Sequence, residues 1–336
     1  MDIQQEIPIQ KKRFPGPAVV LFFLAPAIGE LLSSSSPPAE FFNLFNIVLL
    51  GLLYGGGAIL IRELVFRYKK GWVSMLLFGA AYGIIEEGWM VKSFFDPGWV
   101  DIGMLGSYGR AWGVNWVWTV ELIIFHTVFS ICIPILLVNL LFPGQRQQAW
   151  VSRKSFVVLS ILFFADVIFG FLALTPYRPD LIPYVVFVLL AAALIFAGFK
   201  INPTTAQTSN PLQPARRARS YYYLGLAATI TYFFSAWILP NLLPPVAVNG
   251  LMILVAGVTI VMVKRMSKNW TAWNDQHQLA LASGALSFLI LITPITEMDP
   301  NRPDNTTGMI LVGLISTVFL VWLAYRIRRK DKTIKV

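Results

Sequence analysis

Stretches of roughly 20 residues with almost no charge recur along the whole 336-residue chain, each long enough to cross a hydrocarbon core of about 30 Å as a helix. In lipid a backbone must satisfy its own hydrogen bonds, so such runs fold as helices. They lie at about 15–33, 43–62, 72–93, 115–142, 155–175, 184–200, 221–241, 245–264, 278–296 and 308–326. The expected fold class is therefore all-α, a polytopic transmembrane bundle of about ten helices. A charged fraction of only 13% and a mean hydropathy of +0.65 leave no stretch for a separate soluble domain.

The loops between these runs alternate in charge. Of the 27 lysines and arginines, 23 fall in alternate connections, from Lys11, Lys12 and Arg13 through Arg216, Arg217 and Arg219 to the run from Arg326 to Lys335. The other side holds only Lys92, Arg110, Arg178 and Arg302. The positive-inside rule reads this as both termini cytoplasmic and as multi-pass residence in a cell membrane, the cytoplasmic membrane in a bacterium. The net charge of +10 is thus topological, and with no basic-aromatic module beside it the expected partner is the lipid bilayer, with no nucleic acid. The basic start followed by Ala25-Pro26-Ala27 also fits a cleavable signal peptide, which would leave the remaining topology unchanged. The single cysteine, Cys132, excludes a disulfide framework or a cysteine metal cluster.

The spans divide into a four-helix membrane unit over 1–154, two helices over 155–200, a cytoplasmic linker over 201–220 rich in Pro, Thr, Gln and Arg, and a second four-helix unit over 221–336. Ionisable residues inside spans cost about 2.5 to 3.5 kcal/mol each at mid-bilayer, so each needs a reason. They crowd the first unit: Glu30 in the first span, Glu86 and Glu87 in the third, Glu121 and His126 in the fourth. Counting helical rise from the exits puts them roughly 5, 10, 9 and 16 Å below the outer surface. These five are the candidate catalytic residues. Asn43, Asn46, Lys92, Arg110 and Asn115 lie at the same face as candidate substrate-binding groups.

Adjacent residues on an α-helix point about 100° apart, so only one of Glu86 and Glu87 should face a common site, leaving the other to Lys92 or Arg110. A carboxylate there suits a general base or a proton carrier, and His126 a general acid, an oxyanion donor or a metal ligand. A divalent metal would have to rest on this one histidine plus glutamates, with no HExxH spacing to support it, so the cofactor is open. The segment from Phe94 to Trp118, rich in Gly and Trp, reads as an interfacial belt or a lid over the acidic groups. Gly55-Gly56-Gly57 reads as a close helix contact, because no P-loop lysine follows. Arg62, Glu63 and Arg67 read as a salt-bridge cluster at the cytoplasmic end.

Glu86-Glu87 followed 39 residues later by a helix histidine resembles the intramembrane proteases of the CAAX-processing and bacteriocin-processing (CPBP) type, with their EExxxR and FxxxH motifs. The resemblance covers the third and fourth spans and implies a glutamate- and histidine-based hydrolase. Lys92 stands near the motif's arginine position and Leu122 replaces its phenylalanine. The only other histidine, His277, lies at a cytoplasmic helix end. Two functions follow from these residues: a membrane-embedded hydrolase opening outward, or a proton- or cation-coupled transporter using the same carboxylates. A scaffold with purely structural polar groups is the third.

Overall fold

The computed structural model describes residues 16–202, 216–268, 270 and 272–333. Lys11, Lys12 and Arg13, most of the expected linker over 201–220, and Lys335 lie outside the described residues. Each expected span is met by a helix: α1 Pro17–Leu31, α2 Leu44–Arg67, α3 over 72–90, α4 Trp116–Leu141, α5 Arg153–Ala173, α6 Leu181–Lys200, α7 Ala218–Trp237, α8 Pro245–Met266, α9 Asp275–Met298 and α10 Met309–Thr333. Starts are marked by residues suited to them. Pro17 and Pro245 occupy first turns, where a missing N–H costs nothing, and Asn43, Ser152 and Asn274 accept hydrogen bonds from the first free amides of α2, α5 and α9.

Eight of these helices are long and apolar enough to cross a membrane. The two others have specific reasons for falling short. The α1 helix is brief, ending in the serine run before Pro37 and Pro38, and α3 carries Glu86 and Glu87 within its last turns. A multi-pass membrane bundle is the result, with Leu172, Leu181, Ile182 and Val318 all more than half exposed toward the apolar surroundings.

Burial identifies the centre of the bundle. The apolar windows of α2 and α4 are 61% and 67% buried, against 17% for α6 and α8, so the former are core helices and the latter peripheral. Two hydrophobic cores meet on α4. One joins Tyr54, Phe78, Tyr82, Ile131, Ile135, Phe163 and Phe187 from α2 to α6; the other joins Phe125, Phe129, Leu137, Phe233, Met252, Leu286 and Leu323 from α4 and α7 to α10. The helices α5 and α6 thus share their core with the first four.

Several contacts depend on glycine. A Cβ at Gly55 would lie 2.2 Å from the Phe22 carbonyl oxygen, and one at Gly284 2.0 Å from that of Tyr222, so α2 meets α1 and α9 meets α7 backbone to backbone.

The segment from Phe94 to Trp118 is ordered. It contains a short 3₁₀ turn, Gly103–Gly106, and a minimal hairpin of β1 Arg110–Ala111 and β2 Val114–Asn115. Asn115 ties it down: its amide N–H donates to the Phe94 carbonyl at 2.7 Å and its Nδ2 to those of Ser93 and Asp96.

Candidate functional site

Four helices of the first core widen from α to π geometry, each at a polar residue. The π turns are Ala27–Leu31 with Glu30, Gly51–Gly56 with Tyr54, Ile84–Met90 with Glu86 and Glu87, and His126–Cys132 with His126 and Ser130. Such turns are rare and concentrate at functional sites. Here they converge on one imidazole.

His126 is 2% exposed. Its Nε2 lies 3.0 Å from Glu87 Oε1, and its Nδ1 lies 3.0 Å from Glu86 Oε2 and 3.0 Å from Ser130 Oγ. The expectation that only one glutamate could face the site is therefore corrected. A π turn narrows the angle between successive side chains, and an imidazole offers a nitrogen on each of two edges, so both carboxylates reach it. Glu86 Oε2 is buried without a well-formed hydrogen bond, while Glu87 Oε2 accepts from Ser93 Oγ, which itself accepts from Trp118 Nε1 at 3.0 Å. Tyr54 and Tyr82 flank the ring, with centroids 5.9 and 6.2 Å from that of His126.

Glu30 stands one step back. Its carboxylate accepts from Tyr54 and, at 2.8 Å, from Ser36 Oγ, so it bears on the site through the tyrosine. Gly29 makes room, since a Cβ there would lie 2.7 Å from the Tyr54 ring and 2.9 Å from Ser130 Oγ.

The remaining expected site residues do other work. Glu121 faces α7, accepting from Trp237 Nε1 at 2.9 Å, because five residues separate it from His126 and put it about 140° around the helix. Lys92 pairs with neither glutamate. It ends α3 in a left-handed conformation (φ +63°), is fully buried, and donates from Nζ to the carbonyls of Phe171 at 2.6 Å and Thr175 at 3.1 Å. A cation there satisfies the free carbonyls and negative dipole end of α5. Asn43 and Asn46 bind local backbone, accepting from the Phe45 amide and donating to the Glu40 carbonyl. Arg110 donates to Asn115 Oδ1 at 2.7 Å and serves the hairpin. Sequence reading missed Tyr54, Tyr82 and Ser93. A tyrosine inside the glycine-rich stretch from Gly51 to Gly57 was the available signal for the first of these.

The donor atoms of Glu86, Glu87 and His126 all lie within 4.8 Å of one another, so the three could hold a divalent cation. The fit is partial. One imidazole can give a metal only one nitrogen, and Glu86 and Glu87 sit at opposite edges of the ring, so Glu87 with Nε2 forms the natural pair and Glu86 the outer carboxylate that orients the ring.

Comparisons with known proteins add family, not activity. A protein of Archaeoglobus fulgidus described as an uncharacterized protein is 26% identical over 129 residues, 38% of this chain and 39% of that protein. No solved structure matches. No match to the CPBP-type proteases supports that resemblance, and His277 is bound elsewhere, stacked on Tyr221 with Nδ1 2.8 Å from the Ala272 carbonyl oxygen. The match that spans the bundle runs over residues 19–330, and by it the chain belongs to the uncharacterized membrane protein family.

Proposed function

We propose that the chain is a membrane-embedded hydrolase whose reacting groups are Glu87 and His126, with Glu86 holding the imidazole from its other edge. One imidazole with a carboxylate 3.0 Å from each nitrogen carries this reading. A histidine needed only for packing is satisfied by one acceptor and has no use for two buried acids. Glu87 is the more accessible of the pair, its side chain 12% exposed against 4% for Glu86, and so is the one to meet water.

In this reading Glu87 Oε1 takes a proton from a water molecule as the oxygen attacks an acyl carbon. His126 then delivers a proton from Nε2 to the departing group, and the charge of Glu86 steadies the imidazolium. Ser93 and Trp118 fix the second oxygen of Glu87. A divalent cation on Glu87 and Nε2 would supply the activation of water instead.

The test is hydrolysis of fluorogenic ester and peptide substrates by the purified protein in liposomes. Glu87→Gln and His126→Gln should each lower the rate by about 10²-fold or more with thermal stability retained. Turnover unchanged in both variants, or found in neither them nor the parent protein, overturns the reading.

Proton-coupled transport is the second reading. It is favoured by the continuation of polar groups from the imidazole through Tyr54 to Glu30 and Ser36, toward the less basic face. Proton flux into liposomes that Glu30→Gln abolishes would select it over hydrolysis.

A further inference from the structure

A cavity of about 550 Å³ lies between α7, α9 and α10, with no residue of α4 in its lining. Its floor is one stripe of α9, including Leu279, Ser283, Ser287 and Ile290, and its walls are α7 and α10. Most of the lining is apolar, and three of the hydroxyls in it are already engaged: Ser287 Oγ lies 3.0 Å from the Tyr222 hydroxyl, and Thr317 Oγ1 donates to the Gly313 carbonyl at 2.9 Å. The walls are pinned by close contacts. A Cβ at Gly225 would meet the Leu281 carbonyl oxygen at 2.3 Å, and one at Gly313 would meet Thr293 Oγ1 at 2.2 Å, at the end remote from the basic loops.

At the other end stand Arg219 of α7 and Arg328 of α10, both exposed, on the face where the chain concentrates its positive charge. Along α10 the lining runs from Thr317 to Arg328, roughly 16 Å at 1.5 Å per residue. That is about half of a 30 Å hydrocarbon core, the depth of one leaflet.

We propose that this cleft binds one anionic phospholipid from the basic-side leaflet, its acyl chain lying along α9 and its phosphate between Arg219 and Arg328. Three features specify the occupant. The volume falls in the range of built ligand sites, the apolar length matches an acyl chain ending at mid-bilayer, and two guanidiniums at the mouth match a headgroup carrying net negative charge. A free anion would have no use for the apolar length, and a neutral lipid none for the second arginine.

The experiment is native mass spectrometry of the full chain released from mild detergent after incubation with phosphatidylglycerol or phosphatidylcholine of identical acyl chains. One phosphatidylglycerol should be retained in roughly fivefold or greater preference over phosphatidylcholine, the factor one basic residue contributes at such a surface. In the doubly substituted R219Q/R328Q protein the preference should vanish. Ala280→Trp, which fills the cleft, should reduce retention of both lipids, and thermal melting of each variant confirms that it is folded. Equal retention of the two lipids by the parent protein, a preference that survives R219Q/R328Q, or displacement of the lipid by millimolar inorganic phosphate each overturns the proposal.

Discussion

Glu63 and Glu86 are both buried glutamates in helices of the first core, and they are held in opposite ways. Glu63 is fully enclosed and satisfied on both oxygens: Oε1 accepts from Arg62 Nη1 at 2.6 Å and the Trp150 amide at 2.8 Å, and Oε2 from Arg67 Nε at 2.9 Å. Arg62 in turn stacks over Trp150 at 3.8 Å. Removing this carboxylate strands a buried guanidinium, so Glu63→Ala should destabilise the protein by about 3 to 5 kcal/mol, read as a lowered melting temperature in detergent. Glu86, whose Oε2 lacks a well-formed hydrogen bond, should behave differently. Glu86→Gln is expected to change stability by less than about 1 kcal/mol, as the proposed function requires of a group held for chemistry instead of packing. In the sequence Glu63 reads as part of a salt-bridge cluster with Arg62 and Arg67, and Glu86 as an anomalous charge in an apolar run. What distinguished them was the local company: Glu63 sits between arginines in sequence, whereas the partner of Glu86 lies 40 positions away on another helix.

At the scale of elements, the site depends on α3 and α4 lying almost in backbone contact. A Cβ at Gly83 would approach His126 Cβ to 3.2 Å and Ile123 Cα to 3.3 Å, one turn before the paired glutamates. Gly83→Val should force the two helices apart, lower stability by about 1 to 3 kcal/mol, and loosen the carboxylate–imidazole contacts. A chemical-shift change of the His126 ring nitrogens in ¹⁵N-histidine-labelled protein checks the second effect; unchanged shifts would show that the contact does not depend on this glycine. Element existence was legible from apolar length, yet the π turns were not. A period of 3.6 was the natural assumption for α3, and it led to the expectation that Glu86 and Glu87 must diverge. Over Trp116–Phe125 that period holds, and it turns Glu121 away from His126. Lys92 differs from its sequence expectation for a related reason: a few residues after two glutamates it looks like their partner, while the carbonyls it satisfies are those of Phe171 and Thr175 at the end of α5 and just beyond it.

The whole bundle is closed by contacts between its two ends. The loop between α9 and α10 carries Arg302, which donates to both oxygens of Asp304, at 2.8 and 2.5 Å, and to the Ser34 carbonyl at 2.8 Å, so it is fastened to the turn after α1. The hydrogen bonds from Arg302 hold the Asp304 carboxyl below the usual carboxylate range. A lowered folded-state value means stability that is fully present above the ordinary aspartate range and is lost as pH falls through the lowered value. Asp304→Asn should therefore cost about 1 kcal/mol at neutral pH, the difference in melting temperature from the parent protein closing as the solution is made strongly acidic. A difference independent of pH would show that the pair contributes through shape alone.

Length, apolarity and the distribution of lysine and arginine determined by themselves that this chain is a multi-pass helical membrane protein and roughly where each helix runs, because lipid leaves a backbone few ways to satisfy its hydrogen bonds. They also singled out the first four helices as the place where charge is tolerated. Which of those charges meet was decided only by the tertiary structure. Contact between Glu86, Glu87 and His126 depends on the rotation of α3 against α4, on π turns that carry no periodic signature, and on glycines that let α1, α2 and α4 close around Tyr54. Those are properties of how helices pack, and a sequence read one helix at a time does not contain them.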